Sequence, residues 1–479
     1  MTIANAPLWQ AEDVVRAVRA SCLHEQSWTA NSVSIDSRTV ARGDLFVALQ
    51  GPAHDGHDHV AAAFTAGAAA AIVARQPSQV PPDAPLIFVD DTFVALQALG
   101  RAGRDRAKGK IIAVTGSVGK TSTKEMLRLA LGAVGHTYAN PGSLNNHWGL
   151  PLSLANLPEN ADYGVFELGM NHAGELAALA IITRPHIALI TTIEAAHLEF
   201  FASLEAIADA KAEIFQGVNE SGVVILNRDN AHFTRLAQAA KSRGIKKIMS
   251  FGRDSKSDAR MVDCSVTREG SVINATVMGY NVHYSLGAPG LHLAQNSLGA
   301  LLTASVASTN VDACAGALAN YKPPKGRGVT QSLTLADGGG VTLIDESYNA
   351  SPAAVRAAIE VLGQIIPAAA GHRILVLGDM RELGATSNAL HAGLAPAIIE
   401  AKIDSVYCCG EMMRYLYDAL PENVRGAHTS DSATLAPIVA QAIHADDIVT
   451  VKGSLSMNMN HIVTILKALD VEQQRKIAS

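Results

Sequence analysis

The stretch AVTGSVGKTSTKE, residues 113–125, sets a lysine and a run of hydroxyl side chains at the end of a glycine turn. Those residue types can hold a phosphate. Backbone N–H groups of Gly116, Ser117, Val118 and Gly119, with the start of a following helix at Ser122, would point at the anion. Lys120 would reach the β- and γ-phosphates, and the Thr121 hydroxyl would ligate Mg2+. The full loop pattern, G-x-x-x-x-G-K-[ST], asks for a glycine where this chain has Val114. The bland alternative is an ordinary strand-to-helix turn that happens to contain Gly-Lys-Thr. The buried-strand pattern IIAVT (111–115) before the turn disfavours it, as does the helical pattern after it, with apolar Met126, Leu127, Leu129, Ala130 and Leu131.

Three further residues could complete such a site. Glu167 closes the strand pattern YGVFEL (163–168), and a carboxylate at the C-terminal end of a neighbouring parallel strand lies in the crevice where α/β sheets bind ligands. Taken alone, a strand-end glutamate is more often a cap or a solvated residue. His197 follows the strand pattern HIALITTI (186–193) on the same edge, where ligand and structural readings weigh equally. Lys211, in IADAKAEIF, reads by itself as a surface helix lysine.

The elements that must position these groups are short β-rich runs alternating with Ala- and Leu-rich helical patterns. The remaining runs are GVVILN (222–227), VTLIDE (341–346), RILVLGD (373–379) and DIVTVKG (447–453). Strands alternating with helices imply an α/β protein with mostly parallel sheets. A length of 479 residues suggests about three domains. Breaks are expected at RAGRDRAKGK (101–110) and at YKPPKGRG (321–328), giving domains of 1–105, 106–320 and 321–479. Neither internal repeats nor low-complexity tails are evident.

Composition excludes several function classes. With 48% hydrophobic and 17% charged residues and a net charge of −6, the chain lacks the clustered cations of a nucleic-acid or anionic-membrane binder. The five cysteines, Cys22, Cys264, Cys314, Cys408 and Cys409, form neither a disulfide framework nor a zinc set, which suits a reducing cytoplasm. No basic-then-apolar leader opens the chain. The longest apolar stretch is interrupted by Arg184, Pro185 and His186, so no membrane span is expected. We expect a cytoplasmic monomer acting on small molecules.

Several motifs in order, TGSVGKTS, FELGMNHAGE, AAHLEFF, AKAEIF, GLHLAQN, KGRG and LIDESYNASP, resemble the Mur ligase family. Among its branches the chain looks most like the one that adds D-alanyl-D-alanine, on DESYNASP, VLGDMRELG and the N-terminal SIDSRTVARGDLFVALQGPAHDGHDHV. The family uses the shortened loop, which accounts for Val114. The resemblance implies a UDP-binding α/β domain, a central ATPase domain and a C-terminal dinucleotide-fold-like domain. It implies ATP-dependent amide formation between UDP-N-acetylmuramoyl-tripeptide and D-alanyl-D-alanine through an acyl phosphate.

By the same resemblance, two Mg2+ ions would be held by Thr121 and Glu167 and by His197 and Lys211, the lysine carrying a carbamate. Nucleotide contacts would come from His292, Asn296, Arg327, Asp345, Tyr348 and Asn349. Ser37, Arg38, His57 and Asp58 would meet the uridine diphosphate, and Asn145 and Asn146 the muramoyl peptide. Two positions depart from the family pattern. Leu293 stands where H-N-x-x-N has an asparagine, and Leu455 where an arginine follows KGS, with Lys452 or Arg381 as candidate replacements.

Three rival readings are a sister ligase such as a folylpolyglutamate synthetase, a nucleotide-dependent switch, and a catalytically silent homologue. The DESYNASP motif and UDP-type N-terminal segment oppose the first. Absence of an N-K-x-D base-reading motif opposes the second, and intact Lys120, Glu167 and Lys211 oppose the third.

Overall fold

The computed structural model describes residues 7–20, 27–52, 54–196, 198–267, 269–368 and 371–471. Among these the chain forms four sheets. A small ribbon pairs Trp9–Gln10 with Thr29–Ala30. A four-stranded parallel sheet follows, in the order Ser32–Ser34, Asp44–Val47, Ala70–Val73 and Leu86–Phe88.

The nine-stranded central sheet runs Thr137–Ala139, Tyr163–Glu167, Lys110–Thr115, Ile187–Ile190, Val223–Asn227, Lys247–Gly252, Ala259–Val266, Ser271–Val277 and Tyr280–Leu286. It is parallel as far as the pairing of Lys247–Gly252 with Ala259–Val266, and the last three strands form an antiparallel meander. The sequence reading did not anticipate that meander. Its one-sided character shows in the alternating burial of Ser271–Val277, the period-two signal of a sheet with one face in water. A six-stranded sheet closes the chain, in the order Val329–Thr334, Gly340–Glu346, Ile448–Lys452, Arg373–Gly378, Ser405–Cys409 and Arg425–Thr429. Only its first pair is antiparallel.

The strand Lys110–Thr115 shows why the central sheet is covered on both sides. Side chains alternate across a strand. Ile112 and Val114 pack with Met126, Leu127 and Leu298 on one face, while Ile111 and Ala113 pack with Leu150, Leu176 and Phe215 on the other. Two apolar faces are what a parallel sheet between helical layers requires. The six-stranded sheet repeats the arrangement, with Leu375 and Leu377 in one cluster and Ile374 and Val376 in the other.

The charged stretch at 101–110 is mostly regular structure. It ends the helix Thr92–Arg106 and begins the strand Lys110–Thr115. Its arginines serve as ties: Arg104 donates to the carbonyls of Thr183 and Arg184, and Arg106 to those of Leu8, Ala155 and Leu157. The stretch 321–328 is irregular and joins the central and final sheets, with Gly326 and Gly328 at φ of 73° and 105°. No helix among the described residues is long and apolar enough to cross a membrane. The interrupted apolar stretch is the helix Glu175–Thr183 followed by the strand Ile187–Ile190.

Candidate active site

The missing glycine lies inside the sheet. Val114 is fully buried and pairs with Glu167 on one side and Leu189 on the other, so it belongs to the strand and the loop begins two residues later. Gly116 has φ of 147°, and a Cβ there would stand 1.9 Å from Thr191 Oγ1. That hydroxyl donates to Val118 O at 2.6 Å. Ser117 N donates to Thr192 O at 2.9 Å, and Ser117 Oγ donates to Glu194 O and accepts from Glu194 N, both at 3.0 Å. The exit of the neighbouring strand thus fixes the loop from below.

Gly119, at φ of 82°, precedes the helix Lys120–Gly132, whose first N–H groups have no intrahelical acceptor. Lys120 Nζ donates back to Gly116 O at 2.8 Å and Ser117 O at 3.2 Å. Burial lowers its pKa and Arg327 lowers it further, while Glu167 acts in the other direction.

Glu167, 1% exposed, is gripped at both oxygens. Thr121 Oγ1 donates to Oε2 at 2.8 Å and Asn145 Nδ2 to Oε1 at 2.6 Å. A hydroxyl and a carboxylate at the mouth of a phosphate loop form an oxygen donor set suited to a hard cation. Lys211 is also 1% exposed, and its Nζ has no hydrogen-bond partner. Its pKa falls well below the usual lysine range, first through burial and then through Lys120, against the pull of Glu167, Glu213 and Glu175. The bland reading of a surface helix lysine does not hold for it. The third helical turn of Leu204–Ala212 faces inward, so this amine is buried. His197 lies outside the described residues. Among the described residues no cluster of three His, Cys, Asp or Glu marks a ready metal centre.

Lys120, Thr121, Asn145 and Glu167 line a cavity of about 670 Å3 between the central and final sheets, and Lys211 lies behind that lining. His292 and Asn296, in the first turns of the helix Leu291–Ala307, form one wall, and Asn296 Nδ2 lies 2.5 Å from where a Cβ on Gly119 would sit. Burial, helped by Lys452 and opposed by Glu346, lowers the pKa of His292. Arg327, Tyr348 and Asn349 form the facing wall. The Arg327 guanidinium stacks 4.4 Å over the Tyr348 ring, whose OH lies 2.5 Å from Ser143 Oγ. Asp345 stands apart from the cavity. It is buried, accepts from Ser347 N and Oγ through Oδ1, and leaves Oδ2 unpartnered.

Both departures have a structural counterpart. Leu293 is 6% exposed and packs into the core, while Gln295, one helical position from Asn296, donates to Asp229 at 2.9 Å. Leu455 is 60% exposed and lines the cavity. Lys452 is committed to Glu346 Oε2 at 2.9 Å and Asn349 O at 3.0 Å. Arg381 is half exposed and lies 3.2 Å from Met457 Sδ, on the turn that carries Leu455.

The expected substrate residues of the N-terminal segment do not line this cavity. Arg38 is exposed and bonds Asp36, Asp58 is exposed and pairs with Arg75 at 3.2 Å, and Ser37 is half-buried. His57 is buried with both nitrogens engaged, Nδ1 with Asp55 at 2.6 Å and Nε2 accepting from Ala74 N at 2.8 Å. It holds its segment against the strand Ala70–Val73. Asn146 caps the helix Gly149–Ala155 through Trp148 N and Gly149 N, whereas Asn145 faces the cavity.

Sequence reasoning missed Ser143, Thr192, Glu194, Asn227 and Gln295, all on the cavity wall. Applying the strand-end rule to every parallel strand would have found Thr192, Glu194 and Asn227. A wider, more open cleft of about 1440 Å3 lies at the opposite ends of the strands, by Lys110, Tyr138 and Tyr163. It contains no loop residue, and ligands of parallel sheets bind at the carboxyl ends.

Residues 29–100, 114–304 and 333–455 match, in turn, the Mur ligase family catalytic domain, the Mur ligase middle domain and the Mur ligase glutamate ligase domain. The UDP-N-acetylmuramoyl-tripeptide--D-alanyl-D-alanine ligase of Rickettsia prowazekii (strain Madrid E) is 35% identical over 437 residues, covering 91% of this chain and 95% of that one. The ligase of the same name from Escherichia coli (strain K12) is 36% identical over 442 residues, covering 92% and 94%. A crystal structure of MurF from Acinetobacter baumannii superposes with a TM-score of 0.84 at 28% identity, covering 97% of this chain and all of that one. MurF ligase from Thermotoga maritima in complex with ADP gives a TM-score of 0.76 at 25% identity, covering 92% and 98%.

Proposed function

The chain belongs to the Mur ligase family, and on that premise we propose that it joins D-alanyl-D-alanine to UDP-N-acetylmuramoyl-tripeptide with cleavage of ATP to ADP and phosphate, in peptidoglycan precursor synthesis. The supporting observation is the Thr121–Glu167 pair at the mouth of the phosphate loop, beside a buried, unpartnered Lys211.

A carboxylate is a poor acyl donor because oxide is a poor leaving group. The peptide carboxylate therefore attacks the γ-phosphorus, ADP leaves, and an acyl phosphate forms. The amine of D-alanyl-D-alanine attacks the acyl carbon, inorganic phosphate leaves, and the amine loses its proton. The loop amides of Gly116 to Ser122 and the Lys120 ammonium hold the β- and γ-phosphates and stabilise charge as the γ-group transfers. Lys120, which now caps loop carbonyls, exchanges those acceptors for phosphate oxygens. Arg327 offers a planar guanidinium to the phosphates, and His292, Asn296, Tyr348 and Asn349 enclose the nucleoside. Asp345 acts one layer back, by fixing Ser347.

Thr121 and Glu167 fit one Mg2+, which when bound supplies charge neutralisation at the γ-phosphoryl oxygens. Lys211 fits a carbamate, because carbon dioxide adds only to a neutral amine and this amine is buried with a depressed pKa. As a carboxylate donor it would serve a second Mg2+ together with His197. Ser37, Arg38 and Asp58 offer polar groups to the uridine diphosphate, with His57 shaping their segment, and Asn145 and Asn146 face the muramoyl peptide.

We assign the substrate, ATPase and ligase roles to residues 1–105, 106–320 and 321–479, in a cytoplasmic monomer. Phosphate release with ATP and Mg2+ tests the reading when each co-substrate is omitted in turn. Release should require both the UDP-muramoyl-tripeptide and D-alanyl-D-alanine. Release without either indicates a switch, use of another amine indicates a sister ligase, and no release indicates a silent homologue.

A further inference from the structure

Lys124 is among the largest fully buried side chains and lines no part of the cavity, although it lies one helical turn beyond Lys120. Its Nζ donates to Asn140 O at 2.7 Å and Gly142 O at 2.9 Å, and pairs with Glu125 Oε1 at 2.9 Å. A buried ammonium has three donors to satisfy, and here three acceptors meet them. Two of those acceptors belong to the segment that holds Glu167. Asn140 Oδ1 accepts from Glu167 N at 2.9 Å, Asn140 Nδ2 donates to Leu144 O at 3.0 Å, and Asn145 Nδ2 donates to Glu167 Oε1 at 2.6 Å. Gly169 N returns to Asn145 O at 2.8 Å, so the segment grips both the backbone and the carboxylate of Glu167. Ser143, between these contacts, meets Tyr348 OH.

The phosphate-loop helix therefore carries two separate ties to Glu167: a direct one from Thr121 and an indirect one from Lys124 through residues 140–145. We propose that Lys124 is a positioning residue, whose bonds to Asn140 and Gly142 hold Asn145 against Glu167 and so set the metal-binding carboxylate relative to the phosphate loop. The inference rests on the metal site assigned above. Loss of the ammonium removes the donor from the buried carbonyl of Asn140 and from the more exposed one of Gly142 and frees the segment, while the loop amides and Lys120, which bind the nucleotide, keep their places. Metal affinity and nucleotide affinity should then separate, which a general loss of structure does not produce.

The experiment compares wild type with Lys124→Met, which keeps the apolar stem and removes the donors, and with Lys124→Gln, which keeps one donor pair. Heat unfolding first establishes that each is folded, and where Lys124→Met is not, Lys124→Gln is read in its place. Mn2+ binding beside saturating ADP is followed by electron paramagnetic resonance, and ADP binding without metal by calorimetry. Lys124→Met should weaken Mn2+ binding by about 10- to 100-fold, the range for partners that orient a metal ligand, with ADP affinity unchanged. In turnover, kcat should fall while KM for ATP holds. Because Lys124 acts through Asn145, the effects of Lys124→Met and Asn145→Ala should be far from additive.

Unchanged Mn2+ affinity, an equal fall in ADP and Mn2+ affinity, or additive effects would each overturn the inference while leaving the ligase reading intact. A wild type that binds no Mn2+ beside ADP overturns the metal site and this inference with it.

Discussion

At the scale of single residues, two lysines of the cavity region have opposite tasks and opposite requirements. Lys120 must be a cation beside phosphate, so Lys120→Ala should lower kcat by about 100- to 1000-fold, the cost of losing one preorganised donor to developing charge. Phosphate-release assays check this, and near-normal turnover would remove the phosphate-loop assignment. Lys211 must be neutral to take up carbon dioxide. Activity should therefore drop in buffer freed of carbon dioxide and return with bicarbonate, while Lys211→Ala should be insensitive to both. Because carbamate forms on the free base, the bicarbonate requirement should grow as pH falls toward and below the lowered pKa of Lys211. In the sequence Lys120 is marked by its own loop, and Lys211 only by the resemblance that AKAEIF carries. Lys211 has the flanks of an ordinary helix, and its importance arises from burial with no partner.

Among the elements, glycines set how closely backbones approach. The helix Thr92–Arg106 packs on Gly149–Ala155, and a Cβ at Gly103 would stand 2.2 Å from Leu154 O, with one at Gly100 2.9 Å from Pro151 O. Gly103→Val should force these helices apart and lower stability by about 1–3 kcal/mol or more, as overpacking does, measured by denaturant unfolding. The phosphate loop is equally tight. Gly116→Ala should lower nucleotide affinity, because at φ of 147° the added methyl collides with Thr191 Oγ1 and displaces the bond to Val118 O. A calorimetric ADP titration checks it. The loop glycines were legible as a motif. Gly103 was read only as part of a charged break and Gly100 not at all, since nothing local reveals that another helix presses on them.

Across the whole molecule, the cavity exists because the final sheet's segment 326–349 lies over the central sheet. Among the described residues the two parts are tied by Ser143 meeting Tyr348 and by Glu199 N donating to Glu382 O at 3.0 Å. Tyr348→Phe keeps the ring beneath Arg327 and removes one hydrogen bond, worth about 0.5–1.5 kcal/mol. Small-angle scattering with ADP should then show a larger radius of gyration for the variant than for wild type, with kcat lowered more than stability. Domains joined by such small polar contacts are expected to move relative to one another.

The sequence by itself determined the alternation of strands and helices, the phosphate loop with its lysine and threonine, and the strand-end Glu167. Each depends on periodicity or on spacing within a few residues, and local physics suffices for them. It also carried the ordered motifs that mark the family. The antiparallel meander was legible in principle, through the apolar–polar alternation of VHYSL, 282–286, in its last strand. Only the tertiary structure decided the rest. It placed Val114 in the sheet core, buried Lys211 and Lys124, packed most of Leu293 into the core, withdrew Asp345 from the cavity wall, and engaged both nitrogens of His57. Those outcomes depend on which backbone or side chain the fold brings up as partner or low-dielectric surroundings, as when Asn140, 16 residues along the chain, meets Lys124 and Ala74, 17 residues along, meets His57.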